Sequence, residues 1–290
     1  MFRFIKNHSG KFDVGKMCKV FKVSRSGYYA WLIRKPSKQA IENHALSDRI
    51  EAIYRSGKGR YGSPKVTRVF KSDGIHVSQR RVARIMRSKG LRSVIVGKFK
   101  VCTTDSNHDK EVSSNILNRE FTATSPSEKW VSDITYIRTK SGWLYLTVIM
   151  DLFDRKILGW AMSKGMTAAE TVVAAWKMAI RNRSVKEHMI IHSDRGVQYA
   201  SHEFRILLKS GQIRQSMSRK GNCWDNSVCE NFFKILKSET GFNSIYDSFE
   251  VARREIFEFI EIWYNRRRIH SRLGYMTPEQ FGNSLIKQAA

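Results

Sequence analysis

Cysteine is scarce in this chain and is not arranged as a metal site. Only four cysteines occur in 290 residues, and no two of them form a CxxC pair. The eight histidines show no zinc-finger spacing near them. The sequence therefore gives little support for a structural zinc module, and scattered thiols fit the reducing cytoplasm, where we expect the protein to act.

Long apolar segments are also missing. The N-terminal stretch MFRFIKNHSGKFD lacks the apolar region that a secretion signal requires. No uncharged apolar run elsewhere in the chain is long enough to cross a bilayer. We therefore expect no membrane partner.

Acidic residues are few, and they are fewest in the N-terminal third. The chain has 52 Lys and Arg against 26 Asp and Glu, a net charge of +26 with a pI near 10.2. Residues 1–100 hold 25 basic and 5 acidic residues, whereas residues 101–290 hold 27 and 21. Such a positive field attracts phosphate, so we expect the N-terminal third to bind double-stranded DNA. Its periodic apolar residues favour a folded domain over a low-complexity basic tail.

Two segments of this basic region, about residues 13–33 and 61–92, have the pattern of helix-turn-helix units. In the first, Ser24 or Ser26 is suited to cap the second helix. In the second, Pro64 suits a first helical turn, a turn follows at Asp-Gly, and a capped helix comes after it. The pattern predicts an all-α DNA-binding region over residues 1–96.

Four arginines of the last helix point largely outward and are candidates for DNA contact. They are Arg80, Arg81, Arg84 and Arg87. A merely solvated basic face is the alternative reading. Residues 97–126, polar and rich in Ser, Thr and Asn, then predict a linker to a second domain at 127–290.

Three acidic residues of the second domain stand where secondary structure would direct them to one place. Asp133 lies within KWVSDITYIRT, which is typical of a buried strand. Asp194 ends the strand-like HMIIHSD, and open α/β sheets bind ligands at such strand ends. Glu230 lies on a predicted helix, DNSVCENFFKILKSE, with Asp225 or Asn226 as its N-cap.

Two lysines share the helical face of Glu230. Lys234 and Lys237 follow it by four and seven positions, so all three side chains project together. A carboxylate beside two ammonium groups suits a metal ion next to a DNA phosphate. An ordinary ladder of helix salt bridges is the alternative.

The elements between these acids predict a fold that brings them together. Three antiparallel strands, a helix, a parallel strand and further helices make up a ribonuclease-H-like α/β domain: a mixed five-stranded sheet with flanking helices. The segments that carry this pattern are 129–139, 143–151, 155–163, 167–182, the strand HMIIHSD that leads to Asp194, 201–209 and the strand IRQSMS.

Three clustered carboxylates repel one another unless a cation neutralises them. Oxygen-only ligands favour Mg²⁺, with Mn²⁺ as a substitute. A pair of such ions about 3.5 to 4 Å apart can activate an attacking oxygen and stabilise the leaving one. We therefore expect Asp133, Asp194 and Glu230 to hold metal as a two-ion site.

Other polar residues have competing interpretations. Asp151 and Asp154 fit a turn between strands, paired with Arg155, better than a metal site. His192 lies two positions before Asp194 and fits either a packed histidine or a general base. Trp224 and Asn226 fit positioning of the Glu230 helix or contact with a base. A late basic cluster fits either DNA backbone contact or helix C-capping: Arg266, Arg267, Arg268, His270 and Arg272.

Several long motifs, in order, resemble one known family. WVSDITYI, IIHSDRGVQYAS, NCWDNSVCENFFKILKSE and YNRRRIHSRLGYMTPEQF look like the integrase catalytic core of bacterial insertion-sequence transposases, and more narrowly the OrfB product of the insertion sequence 3 family. The N-terminal segments MCKVFKVSRSGYYAW and YGSPKVTRVFKSDGIHVSQRRVARIMRSKGLR match the same family. The resemblance places the catalytic Asp-Asp-Glu triad on Asp133, Asp194 and Glu230, and a basic residue on Lys237.

The resemblance also implies an activity and partners. The protein would bind the terminal inverted repeats of a mobile element at the bacterial nucleoid, cleave one strand at each end and join the freed 3′-hydroxyl to another phosphodiester. A homo-oligomer would hold both element ends and the target, and an upstream OrfA product would act as a fusion or partner. A non-catalytic DNA-binding regulator and a ribonuclease-H-like nuclease remain the alternatives.

Overall fold

The computed structural model describes residues 1–94, 110–240 and 245–289, with side chains described as far as residue 284. The chain divides into two compact units, Met1–Arg92 and Ser93–Ala290. No helix within the described residues has both the length and the apolar character needed to span a membrane.

The N-terminal unit is built from six helices, four of which begin at a polar side-chain cap. The side chains of Asp13, Ser24, Ser37 and Ser78 each accept a hydrogen bond from the backbone N–H three residues later. Of the two serines considered for the first unit, Ser24 is the cap. The helices are α1 (Phe2–His8), α2 (Val14–Val20), α3 (Arg25–Ile33), α4 (Lys38–Ser56), α5 (Ser63–Ser72) and α6 (Gln79–Ser88).

Apolar residues at helical spacing close two small cores in this unit. The first joins α1, α2 and α3 through Ile5, Met17, Cys18 and Tyr28. The second involves α4, α5 and α6, whose buried residues are Ile50, Val66, Phe70, Val82, Ile85 and Met86. The short turns between α2 and α3 and between α5 and α6 give the unit its helix-turn-helix character, with Gly74 at positive φ in the second turn.

The second unit is built around a mixed five-stranded sheet with strand order β3-β2-β1-β4-β5. Strands β1, β2 and β3 are antiparallel, whereas β4 and β5 run parallel to β1. The strands are β1 (Lys129–Thr139), β2 (Gly142–Asp151), β3 (Ile157–Ser163), β4 (Ile190–Ser193) and β5 (Arg214–Met217). This order and these directions confirm the predicted ribonuclease-H-like fold.

Helices flank this sheet. A π-helical segment, Ala169–Val173, leads into α7 (Ala174–Asn182), which packs on β3 and β2. At Gly159 of β3 an added Cβ would collide with the backbone of α7 at Ala175, so the close approach requires glycine. The helices that follow are α8 (His202–Ser210), α9 (Ser227–Glu239), α10 (Phe249–Phe257) and α11 (Pro278–Ala289), with a π-helical segment Glu258–Tyr264 after α10.

The described part of the predicted linker does not behave as a linker. Over residues 110–126 the chain lies against the sheet, with Leu117 buried and its N–H donating to Ser216 Oγ at 3.1 Å. Ser113 Oγ donates to Gln215 at 3.2 Å. The polar composition that suggested a linker instead supplies hydrogen bonds to β5, so the linker prediction needs correction here. Residues 97–109 of that prediction lie outside the described residues.

Candidate active site

Asp133 of β1 and Asp194, the residue that directly follows β4, stand at equivalent positions relative to the pairing of these two parallel strands. The β1–β4 ladder runs from Lys129 opposite Ile190 to Val131 opposite His192. Each aspartate stands two residues beyond that last pair, so the alternation of side chains directs both to the same face. The register of the sheet therefore brings the two carboxylates together at its centre.

The groups around Asp133 change the pKa of its carboxyl. Burial of the carboxyl raises this pKa well above its ordinary value, and the negative charges of Asp194 and Glu230 raise it further. The N–H of Ile134, which donates to Asp133 Oδ1 at 2.9 Å, and the ammonium group of Lys237 act in the opposite direction. All three acids and Lys237 thus lie within electrostatic reach of one point.

Glu230 comes from α9, which packs against β1. The helix begins at Ser227 after Asn226, so Glu230 stands in its first turn. Burial raises the pKa of Glu230, and the exposed Lys234 one turn later lowers it. Burial lowers the pKa of Lys237, while the charge of Asp133 raises it. Glu230 and Lys237 of this face therefore lie within electrostatic reach of Asp133, whereas Lys234 acts on Glu230 alone.

Oxygen donors are present, but they do not form a closed ligand set. Among the described residues no three His, Cys, Asp or Glu side chains are grouped tightly enough to hold a metal ion. Asp133 Oδ1 accepts from Ile134 N–H, and Asp194 Oδ1 accepts from Gly196 N–H at 2.9 Å. Burial first and the like charges of Asp194 and Glu230 second raise the pKa of Asp133, and a divalent cation held there would favour its ionised form.

His192 is a buried structural residue. Ser218 Oγ donates to Ser193 O, so it accepts from His192 Nε2 at 3.1 Å. Ser216 Oγ, which accepts from the Leu117 N–H, donates to His192 Nδ1 at 2.8 Å. Burial lowers the pKa of His192 to about 4, so the ring stays neutral. With both nitrogens engaged, this histidine fits the packed role and not that of a general base.

Asp151 and Asp154 both form ion pairs with Arg183, whereas the sequence analysis expected Arg155 as their partner. Both are fully buried, and Arg183 reaches them at 2.7 Å and 2.6 Å. Arg155 donates instead to the Phe121 carbonyl. Arg183 lies at the end of α7, about 30 residues further along the chain, and the residues of the turn itself could not have predicted it. These ion pairs fasten the β2–β3 turn to the end of α7, which fits the structural reading of the two aspartates.

Asp225 is a further buried acid, which the sequence analysis considered only as a helix cap. Asn226, not Asp225, is the N-cap of α9. Asp225 is fully buried and accepts from Arg119 and Arg219 at 2.8 Å and 2.6 Å. The hydrogen bonds from Arg219, followed by those from Arg119, hold the pKa of Asp225 well below its usual range. It joins the 110–126 segment to the start of α9.

The basic residues predicted to bind DNA differ in their surroundings. On α6, Arg80, Arg84 and Arg87 are exposed. Arg81 donates to Asn43 Oδ1 at 2.8 Å and to Glu42 at 3.0 Å, so it fixes α6 to α4. In the late cluster, Arg266 pairs with Glu279, Arg268 with Glu239, and Arg272 donates to Thr122.

Comparison with known proteins agrees with this architecture. The integrase core domain family matches residues 123–223 and, in a second description, 230–285, and the HTH-like domain family matches residues 41–99. The transposase InsF for insertion sequence IS3A of Escherichia coli (strain K12) is 40% identical over 283 residues, covering 97% of each chain. An IS600 uncharacterized 31 kDa protein of Shigella sonnei is 39% identical over 94% of this chain and 100% of its own length.

Solved retroviral integrases share less with the chain. The HTLV-2 integrase catalytic core domain in complex with magnesium (trimeric form) gives a TM-score of 0.44 with 19% identity, covering 56% of this chain and 99% of that one. The BIV integrase catalytic core gives a TM-score of 0.41 with 18% identity.

An integrase core joined to a helical HTH-like region defines a DNA transposase of the Asp-Asp-Glu polynucleotidyl transferase class. Within that class, the chain belongs to the insertion sequence 3 family of transposases, as its identity to InsF over nearly its whole length shows.

Proposed function

We propose that Asp133, Asp194 and Glu230 are the catalytic carboxylates of this transposase. The observation that carries the proposal is the register of the β1–β4 ladder, which aligns Asp133 with Asp194; the raised pKa of Asp133, to which Asp194 and Glu230 both contribute, supports it. In the reaction, water or a 3′-hydroxyl attacks a DNA phosphorus atom. A new P–O bond forms, the old P–O bond breaks, and the proton of the attacking oxygen is ultimately balanced by one gained on the leaving oxygen.

The same three side chains would hold Mg²⁺, or Mn²⁺ in its place, as one or two ions. Their oxygen-only donor set and the raised pKa of Asp133 fit a hard divalent cation. When bound, such ions supply activation of the attacking oxygen and stabilisation of the leaving one. The charge of Lys234 acts on Glu230 and that of Lys237 on Asp133, which suits the two lysines to hold a DNA phosphate next to the carboxylates.

DNA recognition falls to the N-terminal unit. The exposed Arg80, Arg84 and Arg87 on α6 would contact the terminal repeats of the element, whereas Arg81 holds the helix in place. Joining two element ends to a target requires both ends in one complex, so the protein would act as a homo-oligomer. The upstream OrfA product would serve as fusion or partner, and the reaction would take place in the bacterial cytoplasm at the nucleoid.

A strand-cleavage and strand-joining assay tests the proposal. Labelled duplexes carrying the element's ends are incubated with Mg²⁺ or Mn²⁺ and the wild-type chain, Glu230→Gln, or the control Glu203→Gln, whose residue is exposed on α8. We expect Glu230→Gln to lose nicking and joining while retaining DNA binding, and the control to keep both. Full activity of Glu230→Gln would refute the assignment.

A further inference from the structure

Ser132, the residue before Asp133, forms hydrogen bonds with the segments that carry Asp194 and Glu230. It is 1% exposed, and its Oγ donates to the Val148 carbonyl of β2 at 2.8 Å. The same Oγ lies 2.8 Å from the hydroxyl of Tyr199. Because a serine hydroxyl has one hydrogen and Val148 receives it, Tyr199 is the donor in the second bond.

Through Tyr199, Ser132 reaches the segment that carries Asp194. Asp194 Oδ1 accepts from the Gly196 N–H, and the Tyr199 N–H donates to the Gly196 carbonyl at 3.0 Å. The Tyr199 ring is buried against Phe204. Its hydroxyl therefore ties the turn after Asp194 to β1 at a fixed point.

Through its carbonyl, Ser132 also reaches the helix that carries Glu230. Asn226, the N-cap of α9, donates its side-chain Nδ2 to Ser132 O at 3.0 Å. The β1–β4 ladder ends one residue earlier, at Val131, so Asn226 supplies a donor where the parallel pairing stops. Glu230 follows one helical turn later, and the bond fixes where that turn begins.

The Asn226 side chain is buried with only part of its hydrogen-bonding capacity used. It is 4% exposed, and within the part of the chain that the structure describes its Oδ1 has no hydrogen-bond partner. A buried amide with only its donor half used is unfavourable for folding. The hydrogen bond that its Nδ2 donates to the Ser132 carbonyl of β1 is the favourable contact that offsets this cost.

We propose that Ser132 is a positioning residue that, with Tyr199 and Asn226, sets the three carboxylates relative to one another. The three segments that bear Asp133, Asp194 and Glu230 meet in hydrogen bonds at this one residue. Loss of any of these bonds leaves each acid in its own element but loosens its distance to the other two. The inference rests on the proposed catalytic role of those acids.

The test compares Tyr199→Phe, Ser132→Ala and their double variant with the wild-type chain. Tyr199→Phe removes one hydroxyl and keeps the ring. The matched control is Tyr264→Phe, another buried tyrosine of the same unit. Three quantities are measured: the strand-cleavage rate on element ends, the Mg²⁺ concentration for half-maximal rate, and the rise in Tm on adding Mg²⁺.

We expect each single variant to lose about 10- to 100-fold in rate or in metal affinity, as is typical when groups that orient metal ligands are removed. The half-maximal Mg²⁺ concentration should rise, and the Mg²⁺-dependent Tm rise should need more metal. The double variant should be little worse than Ser132→Ala alone, because that variant already removes the Ser132–Tyr199 bond together with the bond to Val148. DNA binding and the control variant should remain at the wild-type level.

A different pattern would overturn the inference. If Tyr199→Phe and Ser132→Ala lower Tm in metal-free buffer but leave the rate and the Mg²⁺ dependence unchanged, Ser132 has a purely structural role. The Mg²⁺-dependent Tm rise gives this answer even without turnover. Glu230→Gln, assayed in parallel, separates the two claims: if it stays active the catalytic assignment fails, and if it is inactive while the Ser132 variants are normal, only the positioning role fails.

Discussion

At the scale of single residues, Asp133 is placed where stability and function conflict. Burial and the charges of Asp194 and Glu230 raise the pKa of its carboxyl, so ionisation of Asp133 is unfavourable. The elements around such a group fix its position, and a cation bound in the proposed site would relieve the repulsion.

Replacing this carboxylate should therefore stabilise the metal-free protein. We expect Asp133→Asn to raise the metal-free Tm by roughly 2–4 °C, the shift that about 1 kcal/mol produces in a domain of this size. The variant should also lose strand cleavage and most of the Mg²⁺-dependent rise in Tm. Thermal unfolding with and without Mg²⁺ measures both effects. A metal-free Tm well below that of the wild-type chain would contradict this account of Asp133.

Asp225 predicts a dependence of stability on pH. Its pKa in the folded protein lies well below the ordinary value, so its ion pairs contribute stability that is present above the unfolded-state pKa and lost as pH falls. The loss should begin near about pH 5 and continue downward. Because Arg119 and Arg219 are half-exposed, we expect Asp225→Asn to cost only about 2 kcal/mol at pH 7.

Denaturant unfolding at a series of pH values checks this. The free energy of unfolding of the wild-type chain should fall more steeply below pH 5 than that of Asp225→Asn, so the two curves should converge in acid. Parallel curves would show that Asp225 contributes nothing to the acid sensitivity.

At the scale of elements, α6 separates two kinds of arginine. Arg84 is exposed, whereas Arg81 is bound to Asn43 and Glu42 of α4. A phosphate contact releases counterions, so its loss lowers the salt dependence of DNA binding. An arginine that only holds a helix in place affects stability instead.

We therefore expect Arg84→Ala to weaken DNA binding and to reduce the slope of log K against log salt by about 1. Arg81→Ala should lower the Tm of the N-terminal unit and leave that slope nearly unchanged at temperatures where the unit is folded. Binding isotherms at several salt concentrations distinguish them. The reverse assignment of slopes would show that Arg81 leaves α4 to contact DNA.

The elements were predictable where a local pattern defines them. The strand around Asp133 and the helix around Glu230 follow from β-branched runs and helical spacing, and the structure has them as β1 and α9. Register is different: nothing local states that Val131 pairs with His192, which is what aligns Asp133 with Asp194. The direction of the two acids was predictable, and their alignment was not.

Hydrogen-bond and ion-pair partners that are far apart in the chain could not be predicted from the sequence either. The Asp151–Arg183 and Asp225–Arg119 pairs join residues far apart in the chain, and composition alone made residues 110–126 look like a linker. The same limit hid Ser132, whose partners Tyr199 and Asn226 come from two other segments. A polar residue's role in these cases depends on which segment the fold brings beside it.

At the scale of the whole molecule, charge and chemistry are divided between the two units. The excess of basic residues is concentrated in residues 1–100, and the carboxylates that couple to Asp133 belong to the unit Ser93–Ala290. This division suits a protein that grips DNA with one part and reacts with it through another. It also allows binding and chemistry to be measured separately.

The central claim is that Asp133, Asp194 and Glu230 act as one site, and the most direct test compares their single and combined losses. Strand-cleavage rates are measured for Asp133→Asn, Asp194→Asn, Glu230→Gln and the triple variant, at DNA concentrations where all bind. Residues that act as a unit give single losses about as large as the combined loss, and this is the result we predict. Losses that multiply from one variant to the next, or one single variant that cleaves at the wild-type rate, would contradict a shared site.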